Sequence, residues 1–590
     1  MCGVYFYPKT LSISDDHFKK YLYHRGPDFQ NKIETKNFVI GHNLLSIRGE
    51  IEISTQPYKI NENYLLSFNG EIYNTDSIVK KFDLIDSESD TNILSQLIAK
   101  VGQNFINYIE GMYAIILFNI KTEEVSIFRD HSGQKNIYYY NSDKGVVISS
   151  EIFPIVKLKN FKNKIDNLYI NEALVIGHPS SSKTIFKYIK KLQPGQTITF
   201  NKNGSKILSK ITTKVYPNEF IDKSIYECID ETIQKHTLSN YKVGINLSSG
   251  IDSNIVLYHA IKHKSNIESF STFFEDVDER YNLDFNGAKD ISNYYGIKFN
   301  ETIITKQDYE NAFSESFSNI EEINRNIGNP TYLLNYHHQN QKGFKTILSG
   351  DGGDEIFVGY DWYFKGRLRE KLLKKLCFMG KKMNSIFSLY NYFSQFSRYN
   401  LFKNKEFINS KNLSKKIGYS NKLNDTELFI KENFPNKIYQ FDFFKLFLDQ
   451  YLWLPNEILM RADKLGMLKS LEIRNPLCDQ NLRKKLIYEL NKTDFKTNQN
   501  KQKIREIYSS KIPFDIINKI KYGWTSPKDW IESEKIKSEI LDNIPNHNSE
   551  FFNWMNFKNE IKKNKNIMSN RSIYPLISLI FLIKKFNLTI

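Results

Sequence analysis

The sequence predicts two domains of different class: an N-terminal α+β domain with antiparallel sheets and a C-terminal α/β domain with a parallel sheet. Roughly the first 200 residues contain many short strand-like runs separated by turns. From about residue 220, strand-like runs alternate with helical patterns, which is typical of a parallel sheet covered by helices. The chain has 590 residues, 40% of them hydrophobic, which at about 150 residues per domain allows two to four cores.

The N-terminal elements are predicted from short runs rich in branched and aromatic residues and from two stretches with helical periodicity. Turn residues at Asn69-Gly70 and at Gln193-Pro194-Gly195 separate strands, and taken alone Asn69-Gly70 is an ordinary hairpin turn. The strand-like runs span residues 38–40, 64–68, 114–119 and 125–129, and the helical patterns span 91–101 and 105–108.

In the C-terminal part, the predicted strands cover residues 243–247, 269–274 and 346–348. The change of pattern lies near 205–220, so we expect one domain at residues 2–205 and a second at 220–590. The stretch 378–440 is rich in Lys, Asn, Ser and Phe, and its sequence indicates no role.

The formal net charge of +16 raises the question of nucleic acid, but the lysines are mostly dispersed. One of the denser clusters is interrupted by leucines at mostly helical spacing, and no nucleic-acid-binding signature accompanies it. We therefore expect a solvated helix face and no nucleic-acid partner. The cluster consists of Arg367, Arg369, Lys371, Lys374 and Lys375.

We expect this chain to carry no targeting signal. The apolar start ends at Pro8-Lys9, which is too short for a secretory leader. The strongest apolar run, 576–583, is far shorter than the ~20 residues of a membrane span, so we expect a buried helix there. We therefore expect a cytoplasmic protein without membrane contact. Four cysteines in 590 residues are too few for a disulfide scaffold, and in the cytoplasm we expect their thiols to be reduced.

Cys2 is the first candidate catalytic residue. Removal of Met1 would leave a free α-amine on the residue that carries the thiol. An α-amine has a pKa of about 7.7–8.0, so it can act as a general base for its own side chain. Taken alone, a cysteine at position 2 is an ordinary second residue.

Several ordered segments accompany Cys2 and together resemble class II glutamine amidotransferases. With the C-terminal segments described below, the chain resembles the glutamine-hydrolysing asparagine synthetases of the B type over nearly its whole length, except at 378–440. The N-terminal segments are Met1-Cys2-Gly3-Val4, His24-Arg25-Gly26-Pro27-Asp28, Phe68-Asn69-Gly70-Glu71-Ile72-Tyr73-Asn74, Ser89-Asp90-Thr91, Arg129-Asp130-His131-Ser132-Gly133-Gln134-Lys135 and Leu192-Gln193-Pro194-Gly195.

This resemblance implies a four-layer glutaminase domain similar to the Ntn hydrolases, in which Cys2 attacks the side-chain amide of glutamine. The Asn69 side chain and the Gly70 N–H would stabilise the oxyanion. Asp90 would hold the α-ammonium group of glutamine, and Glu71 would help to seat the substrate.

One segment departs from the family pattern. The family carries an arginine that binds the glutamine carboxylate where this chain has Leu44. Arg48 lies four residues further on, and on a continued strand it would point to the same face, about 13 Å along. We therefore expect Arg48 to supply the carboxylate contact.

The segment 245–253, Ile-Asn-Leu-Ser-Ser-Gly-Ile-Asp-Ser, follows a predicted strand and opens a predicted helix. Small residues at a helix N-terminus can bind phosphate through backbone N–H groups, although an N-cap alone would show the same pattern. The segment resembles the pyrophosphate loop of enzymes that split ATP into AMP and pyrophosphate, which implies that Asp252 binds Mg²⁺. The implied ATP-binding residues are Leu247, Ser248, Ser249, Gly250, Asp252 and Ser253.

A second segment, 348–355, places three glycines and three aspartates or glutamates after another strand, and it could also be a plain acidic turn. The resemblance implies that Ser349 and Gly350 contact the AMP portion. It assigns Asp351, where many relatives carry Glu, to the acyl-adenylate and ammonia step, and Asp354 to magnesium.

Three later features complete the resemblance. Glu472 and Arg474 are interpreted as members of a structural ion pair. Lys521 would neutralise charge on the departing pyrophosphate, although a surface lysine is the plain alternative. The basic stretch 501–505 is interpreted as structural.

The resulting expectation is glutamine-dependent, ATP-driven amidation of a carboxylate, with ammonia passing through the interior. Aspartate is the expected acceptor, ATP and Mg²⁺ the expected cofactors, and a homodimer the assembly we allow for. Three alternatives stay open: another carboxylate such as a sugar acid or antibiotic precursor, a non-catalytic nucleotide-binding relative, and nucleic-acid binding.

Overall fold

The computed structural model of this chain describes most of the residues on either side of one long gap. The predicted basic cluster near 367–375, the stretch 378–440 and most of the predicted boundary at 205–220 lie outside the described residues. The described residues are 2–179, 182–211, 222–360, 363, 446, 449–490, 500–519, 526–548, 552–564 and 566–588.

Within these residues, the strands form two antiparallel sheets followed by one parallel sheet. The strand bounds are β1 Gly3–Pro8, β2 Phe29–Glu34, β3 Phe38–Leu44, β4 Tyr58–Ile60, β5 Tyr64–Ile72, β6 Gly111–Asn119, β7 Glu124–Arg129, β8 Tyr138–Ser142, β9 Gly145–Ser149, β10 Ile189–Lys191, β11 Gln196–Phe200, β12 Lys206–Ile211, β13 Val243–Asn246, β14 Glu268–Phe274, β15 Lys298–Ile304, β16 Thr346–Leu348 and β17 Glu472–Arg474.

The helices are distributed unevenly between the two parts of the chain. In the N-terminal part they are Asp16–Tyr21, Ile51–Ser54, Thr75–Phe82, Asp90–Val101, Ile152–Val156 and Asn167–Ile176. In the C-terminal part they are Ile225–His236, Ile251–His263, Leu283–Tyr294, Lys306–Ser318, Asn329–Gln341, Gly353–Ile356, Leu459–Leu468, Gln480–Glu489, Gln502–Tyr508, Phe514–Ile517, Lys528–Ile531, Glu534–Asn543, Trp554–Lys563 and Tyr574–Phe586.

The two N-terminal sheets have the orders β10-β8-β9-β1-β3-β2 and β12-β11-β7-β6-β5-β4. Strand β1 shows why they stack: side chains alternate along a strand, so Val4 and Phe6 enter the core between the sheets. Tyr5 and Tyr7 enter a different core, which also contains helix residues. A third core joins the outer face of the second sheet to the helix Asp90–Val101. Helices, two sheets and helices therefore form successive layers.

The described residues confirm most of the predicted N-terminal elements. All four strand predictions fall in β3, β5, β6 and β7, and the helix predicted at 91–101 is Asp90–Val101. The helical pattern at 105–108 belongs instead to a short 3-10 helix, Gly102–Asn107. The local pattern could not distinguish the two helix types because each brings apolar side chains to one face.

The third sheet is parallel, with the order β15-β14-β13-β16-β17, as the alternating pattern predicted. Strands β14 and β15 lie on one side of β13, and the later strands β16 and β17 lie on its other side. The strand order therefore reverses beside β13. Loops that follow β13 and β16 leave the same carboxyl edge, where open α/β sheets form their ligand crevice.

The C-terminal apolar run forms part of the helix Tyr574–Phe586, and the prediction of a buried helix is confirmed. Its side chains pack in one core with Tyr5, Tyr138 and Tyr169 of the N-terminal part. Among the residues described, none of the helices has both the length and the apolar character needed to span a bilayer.

A buried ion pair also joins the two parts of the chain. Lys191 Nζ lies 2.9 Å from Glu322 Oε2, and both side chains are 0% exposed. Tyr138 Oη–H donates to Glu322 Oε1 at 2.6 Å. Burial lowers the pKa of Lys191, although Glu322 opposes the decrease. Each of the two buried charges, Lys191 and Glu322, is therefore compensated by the other in an interface that excludes solvent.

We expect Lys191→Met to lower the free energy of unfolding by about 3–5 kcal/mol, because it leaves the Glu322 carboxylate buried without its cation. Urea unfolding of the full chain measures the change. Lys162→Met is the matched control, because Lys162 pairs with Asp143 through side chains that are 53% and 80% exposed; it should cost under about 1 kcal/mol. Equal losses in the two variants would contradict the prediction.

Candidate active sites

The first candidate site lies where β1 of one sheet begins beside β5 of the other. Cys2 directly precedes β1 and is buried. Its backbone N–H donates to Asn69 Oδ1 at 2.9 Å, so the predicted nucleophile lies beside the predicted oxyanion donor. Burial raises the pKa of the Cys2 thiol. The thiol therefore rests in its protonated form and needs a base when it attacks.

The side-chain amide of Asn69 has one group left for a ligand. Its Nδ2 is buried and makes no hydrogen bond to any described residue. An unpaired buried donor costs about 1–3 kcal/mol, so a bound acceptor here would be favourable. Gly70 has φ +149°, and a Cβ at this position would lie 2.0 Å from Met112 O. The hairpin-turn alternative is wrong, because both residues lie inside β5.

A cluster of charged side chains surrounds the end of β5. Arg48 Nη1 donates to Glu71 Oε1 at 3.1 Å, and Arg48 Nη2 donates to Thr75 Oγ1 at 3.0 Å. Asp90 Oδ2 accepts the Ile72 N–H at 3.0 Å. Burial raises the pKa of Glu71 to about 7 and also raises the pKa of Asp90, while Arg48 opposes both increases. The cluster can bind a ligand that carries both a cation and an anion.

The expected geometry of Arg48 is wrong, although its side chain does lie in this cluster. Strand β3 ends at Leu44, which is buried, and the chain then leaves the sheet. Arg48 therefore does not lie about 13 Å along the same strand. The turn after β3 brings its guanidinium back to Glu71.

Arg474 connects this cluster to the parallel sheet. Its Nη2 donates to Glu71 Oε2 at 3.0 Å and its Nε donates to Glu472 Oε1 at 2.5 Å. Its Nη1 donates to the carbonyl of His236 at 2.8 Å, at the end of the helix Ile225–His236. The ion pair predicted for Glu472 and Arg474 is confirmed, and Glu71 is a third member that the sequence did not indicate.

The second candidate site begins in the loop between β13 and the helix Ile251–His263. Ser248 Oγ lies 2.9 Å from Ser253 Oγ, and the Gly250 N–H donates to Ser248 Oγ at 3.1 Å. Ser249 is anchored through its N–H and Oγ–H, which donate to Asp284 Oδ1 at 3.0 and 2.6 Å. Local hydroxyl contacts therefore shape the loop that precedes the helix N-terminus.

Leu247 anchors the start of this loop to the sheet and to the apolar core. Its N–H donates to Phe270 O at 2.9 Å, which extends the β13 pairing by one residue. Its side chain is buried in the apolar core under the sheet. Of the predicted ATP-binding residues, Leu247 can thus offer a ligand only its backbone carbonyl.

The loop after β16 lies directly against the loop after β13. A Cβ on Gly350 would lie 2.6 Å from Ser253 N, and a Cβ on Gly353 would lie 2.5 Å from Asp252 Cγ. Only glycine permits both contacts. The Ser349 N–H donates to Arg474 O at 2.9 Å, which keeps the start of this loop in line with β17.

Lys501 joins the two loops, and its role was not predicted. Its Nζ contacts Asp252 Oδ2 and lies 2.6 Å from Asp354 Oδ1, and the side chain is 3% exposed. Spacing did not distinguish Lys501 from Lys503, whose Nζ instead donates to Glu489 O at 2.9 Å. The sequence indicates a structural role for the stretch 501–505, but its first residue, Lys501, contacts two aspartates of the second candidate site.

The two aspartates form an acidic pair that a small cation could bridge. Asp252 and Asp354 contact the same Lys501 Nζ, so their carboxylates converge on one point. Mg²⁺ prefers one or two carboxylates together with phosphate and water oxygens, and this donor set fits that preference. Within the described residues, no group of three or more His, Cys, Asp or Glu could hold a metal ion alone.

Asp351 faces a different set of side chains from Asp354. Its N–H donates to Ser349 Oγ at 3.3 Å. Burial alone would lower the pKa of Arg461, but Tyr332, Glu457 and Asp351 together raise it. The Arg461 guanidinium lies 4.4 Å from the centre of the Tyr332 ring. The Asp351 carboxylate is thus close enough to the buried Arg461 guanidinium to help raise its pKa.

Buried polar contacts run between the two sites. Arg25 is fully buried; its Nε donates to Cys2 O at 3.3 Å and its Nη2 donates to Asp463 at 3.1 Å. Ser132 Oγ donates to Cys478 O at 2.5 Å. The Cys478 thiol in turn lies against the loop after β16. Lys521, predicted for pyrophosphate, lies outside the described residues.

Comparison with known families and proteins supplies the context for this geometry. Residues 1–214 match a glutamine amidotransferase domain, and residues 224–572, more than half of the chain, match asparagine synthase. Among solved structures, one titled as the allosteric regulatory enzyme of purine biosynthesis covers 46% of this chain and 64% of its own at 16% identity. Its TM-score of 0.27 is too low to support an argument about the fold.

Two curated relatives come from Bacillus subtilis. Asparagine synthetase [glutamine-hydrolyzing] 3 is 24% identical over 79% of this chain and 76% of its own length. Asparagine synthetase [glutamine-hydrolyzing] 1 is 24% identical over 87% of this chain and 84% of its own length. Together with the match over residues 224–572, these similarities lead to one conclusion: the chain belongs to the asparagine synthase family.

Proposed function

We propose that this protein converts aspartate to asparagine, using glutamine as the nitrogen donor and ATP as the energy source. The observation that carries the proposal is the presence, in one chain of this family, of a Cys2–Asn69 pair and of two loops that converge on Asp252 and Asp354. Both Bacillus subtilis relatives are named as glutamine-hydrolysing asparagine synthetases, which supports this proposal. Amidation of another carboxylate is not favoured.

The first half-reaction would release ammonia from glutamine. With Met1 removed, the Cys2 nitrogen is an α-amine that can take the thiol proton as the sulfur attacks the side-chain amide. Asn69 would serve twice: its Oδ1 holds this nitrogen at 2.9 Å, and its unpaired Nδ2 can donate to the oxyanion. The Gly70 N–H would be the second oxyanion donor, and ammonia would leave as the thioester forms.

The charged cluster at the end of β5 would hold the rest of the glutamine molecule. The Asp90 carboxylate would bind the α-ammonium group, and the Arg48 guanidinium would bind the α-carboxylate. Glu71 would orient Arg48 through their 3.1 Å contact. Opposite charges placed in this way select an amino acid over a simple amide.

The second half-reaction would activate aspartate as an acyl-adenylate and release pyrophosphate. The backbone and hydroxyls of residues 247–253 would bind the phosphates at the helix N-terminus, as in a pyrophosphate loop. Ser349 and Gly350 would lie against AMP. Mg²⁺ held by Asp252 and Asp354 would neutralise phosphate charge, and Lys501 and Lys521 would add positive charge toward the departing pyrophosphate.

Asp351 would take part when ammonia attacks the acyl-adenylate. Its carboxylate can accept a proton from the attacking ammonia as the C–N bond forms and AMP leaves. The nearby Arg461 would limit the negative charge that accumulates there. Ammonia would reach this point through the buried interface between the two sites, because release to solvent would protonate it.

The assignment divides the chain into a glutaminase domain at 2–205, similar to the Ntn hydrolases, and a synthetase domain at 220–590, similar to the ATP pyrophosphatases. The layered antiparallel sheets and the parallel sheet support two domains, but the first extends beyond 205, because β12 ends at Ile211 and pairs with β11. The division also places Arg474 and Glu71 on opposite sides of the domain boundary.

An acceptor screen tests the proposed reaction directly. With glutamine and MgATP, we expect aspartate to be converted to asparagine with release of one pyrophosphate and one AMP, measured by pyrophosphate detection and amino-acid analysis. Glutamate and a sugar acid are the control acceptors and should give background release. ADP and phosphate as products would contradict the adenylate mechanism.

Cys2→Ala should separate the two half-reactions. We expect loss of glutamine-dependent asparagine synthesis by at least about 100-fold, because the nucleophile is removed. Synthesis with added ammonium should persist, because the second site is intact. Cys228→Ala is the matched control, since Cys228 is also a buried free thiol. Loss of both activities in Cys2→Ala would argue against two separable sites.

Arg48→Ala should raise the KM for glutamine by about 10- to 100-fold, because a charged hydrogen bond of about 1.5–3 kcal/mol is lost. Ammonium-dependent synthesis should not change. Arg280→Ala, at a side chain that is 71% exposed, is the control. An unchanged KM for glutamine in Arg48→Ala would show that another group binds the carboxylate.

A further inference from the structure

The proposed phosphate-binding Lys501 has an unusual local conformation. It immediately precedes the helix Gln502–Tyr508 and has φ 56° and ψ 29°, in the left-handed region that non-glycine residues rarely adopt. Its side chain is nevertheless held between Asp252 and Asp354. Some contact beyond Lys501 itself must fix the helix that follows it, because a strained residue persists only where its surroundings hold it.

A hydrogen-bonded triad provides that contact at the other end of the same helix. Tyr508 Oη lies 2.7 Å from His259 Nε2, and His259 Nδ1 lies 2.5 Å from Asp230 Oδ1. Tyr508 and His259 are both fully buried. The triad lies outside the residues to which the proposed reaction assigns a role.

The proton positions in this triad follow from the chemistry of its members. Burial lowers the pKa of His259 to about 4, although Asp230 opposes the decrease, so the imidazole is neutral at pH 7. A carboxylate can only accept, so the imidazole proton lies on Nδ1 and is donated to Asp230. Nε2 then accepts, and the Tyr508 O–H donates to it.

The spacing of these residues reveals what the triad does. His259 lies seven residues after Asp252 on the helix Ile251–His263, and Tyr508 lies seven residues after Lys501. Seven residues rise about 10.5 Å along a helix. Because the two spacings are equal, Lys501 contacts Asp252 at the start of the two segments and Tyr508 contacts His259 one seven-residue step further along. These two contacts together fix the register of one helix against the other.

We propose that Tyr508 and His259, oriented by Asp230, are positioning residues that set the register of the Lys501 helix against the pyrophosphate-loop helix. The inference rests on the proposed function, because it assigns Lys501 to the phosphates of ATP. A slip of this helix by one residue would move Lys501 by about 1.5 Å, enough to lose contact with one of its two aspartates.

The surrounding groups show why the effect should be specific to the Tyr508 hydroxyl. Tyr226 lies in the same aromatic cluster, with its ring centre 5.7 Å from that of Tyr508. Its hydroxyl, however, accepts from Lys262 Nζ at 2.6 Å and lies 3.4 Å from Tyr258 Oη, and among the described residues it has no hydrogen bond to His259. Tyr226→Phe is therefore a matched control that keeps the ring packed in the cluster and removes a hydroxyl that makes no hydrogen bond to the triad.

The test measures equilibrium binding of MgATP to the full chain by calorimetry, for wild type, Tyr508→Phe and Tyr226→Phe. We expect Tyr508→Phe to weaken MgATP binding by about five- to tenfold, the effect of one lost hydrogen bond. Tyr226→Phe should bind as the wild type does, and glutaminase activity should be unchanged in both. Unaltered MgATP binding in Tyr508→Phe would overturn the inference.

A double-mutant cycle with Lys501→Met separates positioning from general stability. If Tyr508 acts through Lys501, Tyr508→Phe should have no further effect on MgATP binding once Lys501 is methionine. An equal loss in both backgrounds would show a purely structural role and overturn the inference. Binding of MgATP without formation of asparagine would instead overturn the proposed function and leave the positioning role intact.

Asp230 offers a second pair of variants. Asp230→Asn keeps an oxygen that can accept from His259 Nδ1, whereas Asp230→Ala removes it. We expect Asp230→Ala to weaken MgATP binding and Asp230→Asn to restore most of it. An equally large loss in both would contradict the orienting role of Asp230.

Discussion

The buried guanidinium of Arg474 is the interaction on which the arrangement of both sites depends. It is 0% exposed and donates to Glu71, Glu472 and the carbonyl of His236. A charge taken out of water is tolerated only where every donor finds a partner. The partners come from both parts of the chain, so this single requirement fixes their relative position at the cluster that contains Arg48.

The backbone of the same residue reaches the other site. Arg474 O accepts the N–H of Ser349, which begins the loop after β16. One residue thus holds the proposed glutamine site through its side chain and the proposed adenylate loop through its carbonyl. The two proposed sites are therefore connected through one short strand, β17.

Close backbone approach has the same organising effect in the parallel sheet. Because β13 and β16 are neighbours, their loops leave the carboxyl edge side by side. Gly350 and Gly353 allow those loops to touch, and Lys501 bridges the two aspartates that result. The glycines that make this segment unsuitable for packing thus let the two loops touch, and the acids supply carboxylates that converge on one cation.

The sequence by itself determined the class of each part, four of the twelve strands described in the two N-terminal sheets and the candidate reactive groups. Those features are local: strand periodicity, a thiol at position 2, and small residues between a strand and a helix. Local patterns could also predict that Glu472 and Arg474 form a pair, because they are two residues apart on one short strand.

Only the tertiary structure decided which distant residues meet. Asn69-Gly70 has the composition of a hairpin turn, yet it lies inside β5, because pairing with β6 outweighs its turn preference. Arg48 reaches Glu71 because the chain leaves the sheet after Leu44, and no periodicity encodes that turn. Lys501 lies 249 residues from Asp252 in the chain, so its contact depends on the packing of two helices that no local pattern specifies.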